Sequence, residues 1–361
     1  MRLKICHLDT ERSWRGGEQQ LLYLAQGLRS AGDENLIFAR EGSALDQRAR
    51  AEGFDVRTMN PWLPWAPAAA LSLRRALLKG GFHILHAHTA HAAAIGALAT
   101  WSTDVALIVS RRVDFHISHN PMTRWKYRRA NQILAVSSAV REVLIQDGIA
   151  PERVVVVPDG IDPARLRKEE RLFSRAELGL PQGPLIGQVA ALAWHKDPLN
   201  FLRVMALIKE ERPDVHGVMV GAGPLDGEVR QEIARLGLSR TVFLMGFRED
   251  VPRLLRHLDV CVLSSRMEGL GTSILDAMAL GVPVVATRTG GIPEMVEDGV
   301  SGLLAPPRDA PALAAAVRRA LEDQDLRERL KVGGLKTVER FSAQAMVRST
   351  RAVYAAALRL S

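Results

Sequence analysis

Residues 260–287 read VCVLSSRMEGLGTSILDAMALGVPVVAT and carry a complete strand, loop, helix and strand pattern. The apolar run 260–263 predicts a strand, a glycine-containing loop with Glu268 follows, and a helix is expected from about Thr272. A Gly-Val-Pro turn ends that helix, and residues 282–286 predict the next strand. This order predicts neighbouring parallel strands that are joined by a crossover helix.

The same alternation of short aliphatic runs and amphipathic stretches continues outward along the chain. Residues 159–184 are polar with few strand formers, and we interpret them as an interdomain linker. The pattern predicts an α/β protein with two tandem doubly wound, Rossmann-like domains, 1–163 and 164–341. A final amphipathic helix within 342–361 either closes the second domain or packs back on the first. The other predicted strands are 3–8, 35–39, 84–86, 106–110, 133–136, 154–157, 185–189, 217–220 and 242–244.

Length and composition agree with two buried cores. The chain has 361 residues, of which 47% are hydrophobic and 24% charged, so a single small module and wholesale disorder are both excluded. The net charge of +8 suits acidic ligands, phosphate or an anionic membrane surface. By itself it does not indicate nucleic acid.

Cysteine usage and the N-terminus indicate a cytoplasmic protein. Cys6 and Cys261 lie far apart in apolar, strand-like runs, so a disulfide framework and a cysteine-containing zinc site are not expected. The first residues carry Lys4 and begin a strand at once, which leaves no room for a signal peptide. No apolar run reaches the roughly 18–20 residues that cross a bilayer. We therefore expect a protein that can lie on a membrane, at its inner face, without spanning it.

Three loops that follow predicted strands are candidate phosphate-binding elements. Gly16 and Gly17 come before a helix and form either an anion site or a tight turn without a ligand. Residues 221–227 resemble a dinucleotide fingerprint with one residue too many, and a glycine-lined structural loop is the competing interpretation. Lys196 could reach across a cleft to a phosphate, although most lone lysines are solvated surface charges.

Residues 260–287 contain the most specific candidate site. Glu268 is expected at the carboxyl edge of the sheet, and Asp276 one turn inside the following helix. The amides of Gly271, Thr272 and Ser273 would point into the same crevice. A carboxylate beside several amides suits a sugar diphosphate, because hydroxyls need acceptors and phosphates need donors. The competing interpretation makes Glu268 a loop residue and Asp276 a partner of the helix dipole.

Over nearly its whole length the sequence resembles the glycosyltransferases of family 4, which are retaining, nucleotide-sugar-dependent enzymes of the GT-B fold. The order and spacing of the motifs make the match specific. These motifs are Gly16-Gly17-Glu18, VVPDGID at 156–162, Lys196, VGAGP at 220–224, LMGF at 244–247, the segment from Glu268 to Asp276, and TGGIPE at 289–294.

The resemblance implies roles for residues of the second domain, which would bind the donor. Glu268 would contact the sugar hydroxyls, and Asp276, where the family usually has glutamate, would contact the ribose. Lys196 would contact the diphosphate. The family's partner arginine falls on Ala191. Arg248 and Arg266 are candidates to replace this arginine. Phe247, the last residue of the LMGF motif, and Arg248 are also expected among the donor-binding residues.

The resemblance also implies roles in the first domain, which would bind the acceptor across a cleft between the two domains. The family commonly has a histidine after the strand 106–110. Arg112 occupies the nearest matching place here, and His116 is a candidate for a displaced equivalent.

The mechanism that the resemblance implies is transfer with retention and without a metal ion. The acceptor hydroxyl attacks from the face that the diphosphate leaves, and the departing phosphate takes the proton. Lys196 and the amides of Gly16, Gly17, Gly271 and Thr272 would stabilise the growing charge. The triplet Asp323-Gln-Asp325 lies in a charged helical stretch, where a solvated surface is expected rather than a metal clamp.

Residues 111–129 combine basic and aromatic side chains. This density fits an anionic membrane surface or a phosphorylated glycolipid, and it also fits single-stranded nucleic acid or an ordinary solvated helix face. A second aromatic segment, 60–65, could be a lid or plain packing. Against the single acid Asp114 the basic residues are Arg111, Arg112, Arg124, Lys126, Arg128 and Arg129, with Trp125 and Tyr127 between them.

The sequence therefore predicts a GT-B glycosyltransferase that transfers a hexose from a UDP- or GDP-sugar to a hydroxyl of a cell-envelope glycan or glycolipid, such as lipopolysaccharide core. No other cofactor is expected. One alternative is a nucleotide-binding oxidoreductase that uses residues 221–227. A second alternative is a catalytically silent GT-B subunit, which the missing arginine at Ala191 makes conceivable.

Overall fold

The computed structural model describes residues 2–61, 66–118, 120–167 and 173–359, without the side chains of residues 167 and 359. The chain forms two compact units. Unit 1 is Met1–Gly160 together with Ala343–Ser361, and unit 2 is Ile161–Ser342. The division after residue 160 lies three residues before the boundary that the sequence suggests. The aromatic segment 60–65 lies mostly outside the described residues.

Unit 1 is built on a seven-stranded sheet in which every adjacent pair of strands is parallel. The strand order is β3-β2-β1-β4-β5-β6-β7, so the order reverses between β1 and β4. The strands are β1 (Lys4–Leu8), β2 (Glu34–Arg40), β3 (Asp55–Met59), β4 (Ile84–Ala87), β5 (Ala106–Arg111), β6 (Gln132–Ala135) and β7 (Val154–Val156).

Helices connect the strands of unit 1, and several begin at a residue whose side chain caps the helix. Ser43, Thr89, Asn120 and Ser137 each accept a hydrogen bond from an amide of the following first turn. The helices are α1 (Gly16–Ser30), α2 (Ala44–Ala51), α3 (Pro67–Gly80), α4 (Ala90–Ala99), α5 (Pro121–Arg129) and α6 (Ser138–Gln146), followed near the end of the chain by α15 (Ala343–Arg359).

The last helix, α15, is part of the core of unit 1. Tyr354 is completely buried in one cluster with Ile5 and Ile108. A Cβ at Gly27 of α1 would lie only 2.4 Å from Val347, so the glycine permits close packing of the two helices. The final helix thus packs on the N-terminal part of the chain.

Unit 2 is built on a six-stranded parallel sheet of order β10-β9-β8-β11-β12-β13. The order reverses between β8 and β11, the counterparts of β1 and β4. The strands are β8 (Leu185–Val189), β9 (His216–Val220), β10 (Val242–Gly246), β11 (Val260–Leu263), β12 (Val284–Thr287) and β13 (Leu303–Ala305).

Helices cover the sheet of unit 2, and a single buried cluster that includes Phe201, Met205, Val262 and Leu313 forms much of its core. The structure supports no membrane-spanning helix among its described residues. The helices are α7 (Pro163–Arg167), α8 (Pro198–Glu211), α9 (Asp226–Arg235), α10 (Val251–Leu255), α11 (Thr272–Ala279), α12 (Ile292–Met295), α13 (Ala310–Glu322) and α14 (Gln324–Arg340).

Candidate functional site

The carboxyl edge of the unit 2 sheet brings two of the predicted residues into direct contact. Lys196 follows β8, and Glu268 follows β11, so the two residues come from the strands at which the strand order reverses. Lys196 Nζ donates to Glu268 Oε2, which also accepts from Ser265 Oγ at 3.2 Å. Open α/β sheets bind ligands at such a reversal, in the crevice beyond the strand ends.

The backbone around Lys196 is held by neighbouring loops. Lys196 ends a short 3₁₀ turn, and its carbonyl accepts from Ser264 Oγ at 3.2 Å and from Gln188 Nε2 at 3.4 Å. The next residue, Asp197, has φ of +46° and is the N-cap of α8. Its carboxylate accepts two hydrogen bonds from Arg266, at 2.6 and 2.8 Å. The position of the lysine is thus fixed from several sides.

The side chain and the backbone of Glu268 are also held in place by neighbouring residues. Its side chain is nearly buried, and its carbonyl accepts from the amide of Gly291 at 3.0 Å. Gly271, at the start of α11, has φ of +95°, and a Cβ there would lie 3.3 Å from Glu268 Cγ. A larger residue at position 271 would strain the backbone and press on the carboxylate side chain.

The beginning of α11 carries the remaining predicted donor-binding residues. Thr272 and Ser273 are its first two residues, so their amides belong to the unbonded first turn of the helix. Asp276 lies one turn further on, where burial raises the pKa of its carboxyl group from the usual 3.8 to about 7. A carboxyl group with such a pKa is partly protonated at neutral pH, so it can donate as well as accept a hydrogen bond.

The glycines at 221 and 223 serve loop packing. Gly221 has φ of +145°, and a Cβ there would lie 2.0 Å from the carbonyl oxygen of Ala190. A Cβ at Gly223 would lie 2.3 Å from the carbonyl oxygen of Leu192, whose amide donates to Ala222. These glycines permit the loop after β9 to lie against the loop that leads to Lys196, which agrees with the structural interpretation of this motif.

Both arginines that could replace the family arginine already bind carboxylates of the protein. Arg248 makes two hydrogen bonds of 2.7 Å to Asp250, and Arg266 is bound to Asp197. Phe247, beside Arg248, is 56% exposed. Lys196 is therefore the predicted cation that contacts Glu268, whereas both arginines are paired with other carboxylates.

In unit 1, the predicted anion site at Gly16 and Gly17 has acidic neighbours. The Glu18 carboxylate accepts from the amide of Arg15 at 2.7 Å and caps the start of α1. Burial, reinforced by the charge of Asp9, raises the pKa of Glu18 from 4.5 to about 7. Burial also raises the pKa of Asp9 from 3.8 to about 6. An anion at this helix start would meet these two carboxyl groups.

The structure separates the two candidates that follow β5. Arg112 Nε donates to Asp159 at 3.0 Å, and one of its terminal nitrogens lies 3.5 Å from His88 Nδ1. His116 instead lies on the surface, where its Nδ1 is 2.7 Å from Asp147 and its side chain is 62% exposed. Of the two candidates, only Arg112 joins the polar group at the carboxyl edge of this sheet.

A cluster of three buried histidines, His7, His86 and His88, was missed by the sequence analysis. His7 and His86 are register partners on β1 and β4, and His88 follows β4 on the same side. The spacing of His86 and His88 predicts that both side chains lie on one face of a strand, but the sequence does not reveal that β1, which carries His7, is the neighbour of β4.

All six ring nitrogens of this cluster have hydrogen-bonding partners. His7 contacts His88 at 3.1 Å and Asn35 at 3.0 Å, and His86 contacts Tyr354 at 2.6 Å and Ser110 at 2.8 Å. Burial lowers the pKa of His7 to about 4 and those of His86 and His88 well below 6.5, so the rings are neutral at pH 7. A metal ion would have to displace these hydrogen bonds to bind here.

Comparison with known proteins identifies both units. The chain matches the family model of Glycosyltransferase Family 4 over residues 14–165 and that of Glycosyl transferases group 1 over residues 170–337. The solved structure of Anabaena HepE in complex with UDP and glucose covers 98% of this chain with a TM-score of 0.87 and 24% identity, and the match spans all of that chain.

Two curated relatives illustrate the sequence similarity. The 2-deoxystreptamine glucosyltransferase of Streptomyces kanamyceticus is 34% identical over 55% of this chain and 54% of its own. The UDP-Gal:alpha-D-GlcNAc-diphosphoundecaprenol alpha-1,3-galactosyltransferase of Escherichia coli is 24% identical over 81% of both chains. The chain spans about half the length of several curated relatives that it matches. The two family models together cover most of the sequence, and the chain belongs to the GT-B glycosyltransferases of group 1 and family 4.

Proposed function

We propose that the protein is a retaining glycosyltransferase that transfers a hexose from a nucleoside diphosphate sugar to a hydroxyl group of a cell-envelope glycan or glycolipid. The observation that carries this proposal is the contact between Lys196 and Glu268 at the strand-order reversal of unit 2. A cation and a carboxylate in one crevice, beside the first turn of α11, suit the two halves of such a donor. We assign the donor to unit 2 and the acceptor to unit 1.

Each side chain has a distinct task in the proposed donor complex. Lys196 donates to the diphosphate, and the amides of Thr272 and Ser273 donate to the same group. Glu268 exchanges the lysine for hydroxyl groups of the sugar, which are neutral donors of comparable reach. Asp276 contacts a ribose hydroxyl. The ion pair between Lys196 and Glu268 thus opens to admit the donor.

The proposed reaction breaks the bond between the sugar C1 and the diphosphate oxygen, and it forms a bond from C1 to the acceptor oxygen on the same face. The proton of the acceptor hydroxyl goes to the departing phosphate. The negative charge that grows on the diphosphate is stabilised by Lys196 and the helix amides, which are already oriented before the reaction. Arg112, which is held by Asp159, is the unit 1 group that we assign to the acceptor side.

We further propose that the reaction needs no metal ion. Asp323, the first acid of the Asp-x-Asp triplet, is the N-cap of α14 and accepts from the amide of Leu326 at 2.8 Å. This role supports a structural interpretation of the triplet. Turnover should persist in excess EDTA, as measured by release of UDP or GDP. A loss of turnover that magnesium or manganese restores would contradict metal independence.

The glycine packing described for residues 221 and 223 supports the glycosyltransferase over an oxidoreductase. A dinucleotide fingerprint uses its glycines for close approach to a pyrophosphate, whereas here two carbonyl oxygens of the protein occupy the space. An experiment distinguishes a catalytically silent subunit from an active glycosyltransferase. A thermal-shift panel of UDP, GDP and their sugars should show stabilisation by one nucleotide family, followed by donor-dependent transfer. Stabilisation without hydrolysis or transfer from any donor would favour the silent subunit.

A further inference from the structure

A surface of unit 1 combines exposed apolar side chains with arginines and lies apart from the groups discussed above. Leu71 and Leu78 on α3 are 48% and 54% exposed, Trp101 after α4 is 58% exposed, and Met122 on α5 is 53% exposed. Large apolar side chains are seldom grouped on the surface of a protein unless the surface binds a partner. We call this group, with the basic residues named below, the basic apolar surface.

Hydrogen bonds and ring packing join the three helices of this surface. Arg74 of α3 donates to the carbonyl oxygens of Ala99 and Trp101, the former at 3.3 Å. Arg129 of α5 donates to the Thr100 carbonyl at 3.4 Å. The rings of Trp101 and Trp125 lie edge to face, with centroids 6.0 Å apart. These contacts join Trp101, Trp125, Arg74 and Arg129 in one surface, and Leu71, Leu78 and Met122 are exposed on the same helices α3 and α5.

The charge of this surface is almost entirely positive. Within residues 71–79, 99–104 and 121–129, Asp104 is the one acidic residue. A cavity of about 320 Å³ on α5 is lined by three arginines, Pro121 and Trp125. The basic side chains of the surface are Arg74, Arg75, Lys79, Arg124, Arg128 and Arg129.

We propose that the basic apolar surface binds a bilayer of anionic phospholipids. The arginines would contact lipid phosphates, and Trp101, Leu78 and Met122 would enter the interfacial layer. Each basic residue near an anionic membrane strengthens binding by about fivefold, so several basic residues and a few apolar side chains suffice for reversible association. Exposed leucine and methionine favour lipid over single-stranded nucleic acid, which binds mainly to aromatic stacking platforms.

Part of the basic apolar surface lies at the opposite edge of the sheet from the proposed catalytic groups. Trp101, Leu78 and Arg129 lie at or just after the C-terminal ends of their helices. In a parallel α/β sheet these helix ends meet the amino edge of the strands, whereas Arg112 follows the carboxyl end of β5. Met122 and Arg124 lie in the first turn of α5 instead, toward the carboxyl edge. The variants named below leave Arg112, Lys196 and Glu268 unchanged, and Leu78→Ser/Trp101→Ser also lies at the amino edge. The proposal does not depend on the proposed function.

The test is co-sedimentation of the full chain with vesicles of phosphatidylcholine alone or mixed with phosphatidylglycerol. We expect binding to the mixed vesicles at about 0.05 M salt and strong loss at about 0.5 M, where the Debye length is short. The double variant Arg124→Glu/Arg128→Glu should weaken binding by at least about 25-fold. The double variant Leu78→Ser/Trp101→Ser should weaken binding at both salt concentrations, because it removes the apolar contribution.

The matched control is Arg230→Glu/Arg235→Glu, which makes the same charge change on the exposed face of α9 in unit 2. It should bind the mixed vesicles like the wild type, and all variants should keep the wild-type melting temperature. The proposal is overturned if phosphatidylcholine vesicles bind equally well, or if the Arg124/Arg128 variant binds as tightly as the control. Competition by a thymidine oligonucleotide that binds the same arginines more tightly than the vesicles do would show a nucleic-acid surface instead.

Discussion

The two sheets reverse their strand order at equivalent places, but the polar groups at those places are organised differently. In unit 1, buried and half-buried side chains bond to one another in a connected chain that runs from Asp159 after β7 through Arg112 after β5 and His88 after β4 to His7 of β1. Between β8 and β11, the corresponding space holds the Lys196 and Glu268 pair, with a glycine and a helix start beside it. The same topology thus supports a connected network of imidazoles in one unit and a lysine–glutamate ion pair, supported by Ser265, in the other.

This difference agrees with a mainly structural role for the unit 1 histidines and with the donor site that we propose in unit 2. In unit 1 each imidazole nitrogen has a protein partner, so a ligand gains little by replacing one. In the donor complex that we propose for unit 2, a phosphate replaces the carboxylate at Lys196 and a hydroxyl replaces the lysine at Glu268, so both groups remain satisfied. Substitutions in unit 2 should therefore change turnover most, and substitutions in unit 1 should change stability most.

The largest effect is expected for Lys196→Ala. Loss of the cation should reduce kcat/KM by about 10²–10³-fold, as expected when one preorganised donor is deleted. In the same background, Ala191→Arg should recover part of the loss, because residue 191 is partly exposed. Lys331→Ala, a partly exposed lysine of α14, is the matched control and should keep wild-type kinetics. Wild-type kcat/KM in the Lys196 variant would mean that another cation holds the diphosphate, with Arg248 and Arg266 the next residues to test.

Glu268→Gln should have the second largest effect. The amide keeps the shape of the side chain but loses the charge-assisted hydrogen bonds to the sugar, so transfer should fall by about 10²-fold. Affinity for the nucleoside diphosphate should change little, as measured by calorimetry. Glu328→Gln, on the exposed face of α14, provides the control. Full activity of the Glu268 variant would contradict the assignment of the donor site.

In unit 1, Asp159→Asn should destabilise the fold by about 1.5–3 kcal/mol, because Arg112 loses a hydrogen bond to a charged partner in a mostly buried place. Urea unfolding followed by tryptophan fluorescence suits this measurement, since five of the six tryptophans belong to residues 1–160. Asp55→Asn, on the exposed face of the edge strand β3, should leave the midpoint unchanged. An equal shift in both variants would show that the network does not stabilise unit 1.

The smallest effect concerns pH. The pKa of Glu18 is raised to about 7 in the folded state, above its usual 4.5. The folded state therefore holds a proton that the unfolded state releases, and stability falls as pH rises from about 4.5 to about 7. The buried histidines act in the opposite sense, because their lowered pKa values reduce stability as pH falls below about 6.5.

The difference between wild type and Glu18→Gln isolates the carboxyl group from the histidines. Unfolding free energies measured from pH 4.5 to 8 should show the variant gaining stability relative to wild type as pH rises. Glu142→Gln, an exposed residue of α6, should show no such trend. A constant difference between wild type and Glu18→Gln over this range would exclude a role for Glu18 in the pH dependence.

The sequence predicted the tandem α/β fold well because most strands are continuous aliphatic runs. Two strands were missed, and each is an edge strand. β3 reads Asp-Val-Arg-Thr-Met with only Val56 buried, and β13 has three residues. An edge strand packs on fewer neighbours, so it needs less of the aliphatic pattern on which the prediction relied.

For the candidate site, loop positions after strands were predictable, but contacts between distant residues were not. The family resemblance placed Lys196 and Glu268 in one donor site, but their direct contact depends on the adjacency of β8 and β11, which the sequence does not reveal. The histidine cluster was not predicted for the same reason, because His7 lies at least 79 residues from His86 and His88 in the sequence. His116 illustrates the opposite case, because a plausible sequence position does not fix the direction of an exposed side chain.

The helix α15 has a consequence for how the protein is made. The hydrogen bond between His86 and Tyr354 and the ion pair between Arg351 and Asp33 join residues that are synthesised far apart in time. At about 5–20 residues per second, translation needs roughly 10–40 s to proceed from the end of β7 to the end of α15. During that interval the apolar surface that α15 will cover stays open on the nascent chain. The core of the first unit is therefore complete only after the last helix is made, and until then this apolar surface is exposed to aggregation.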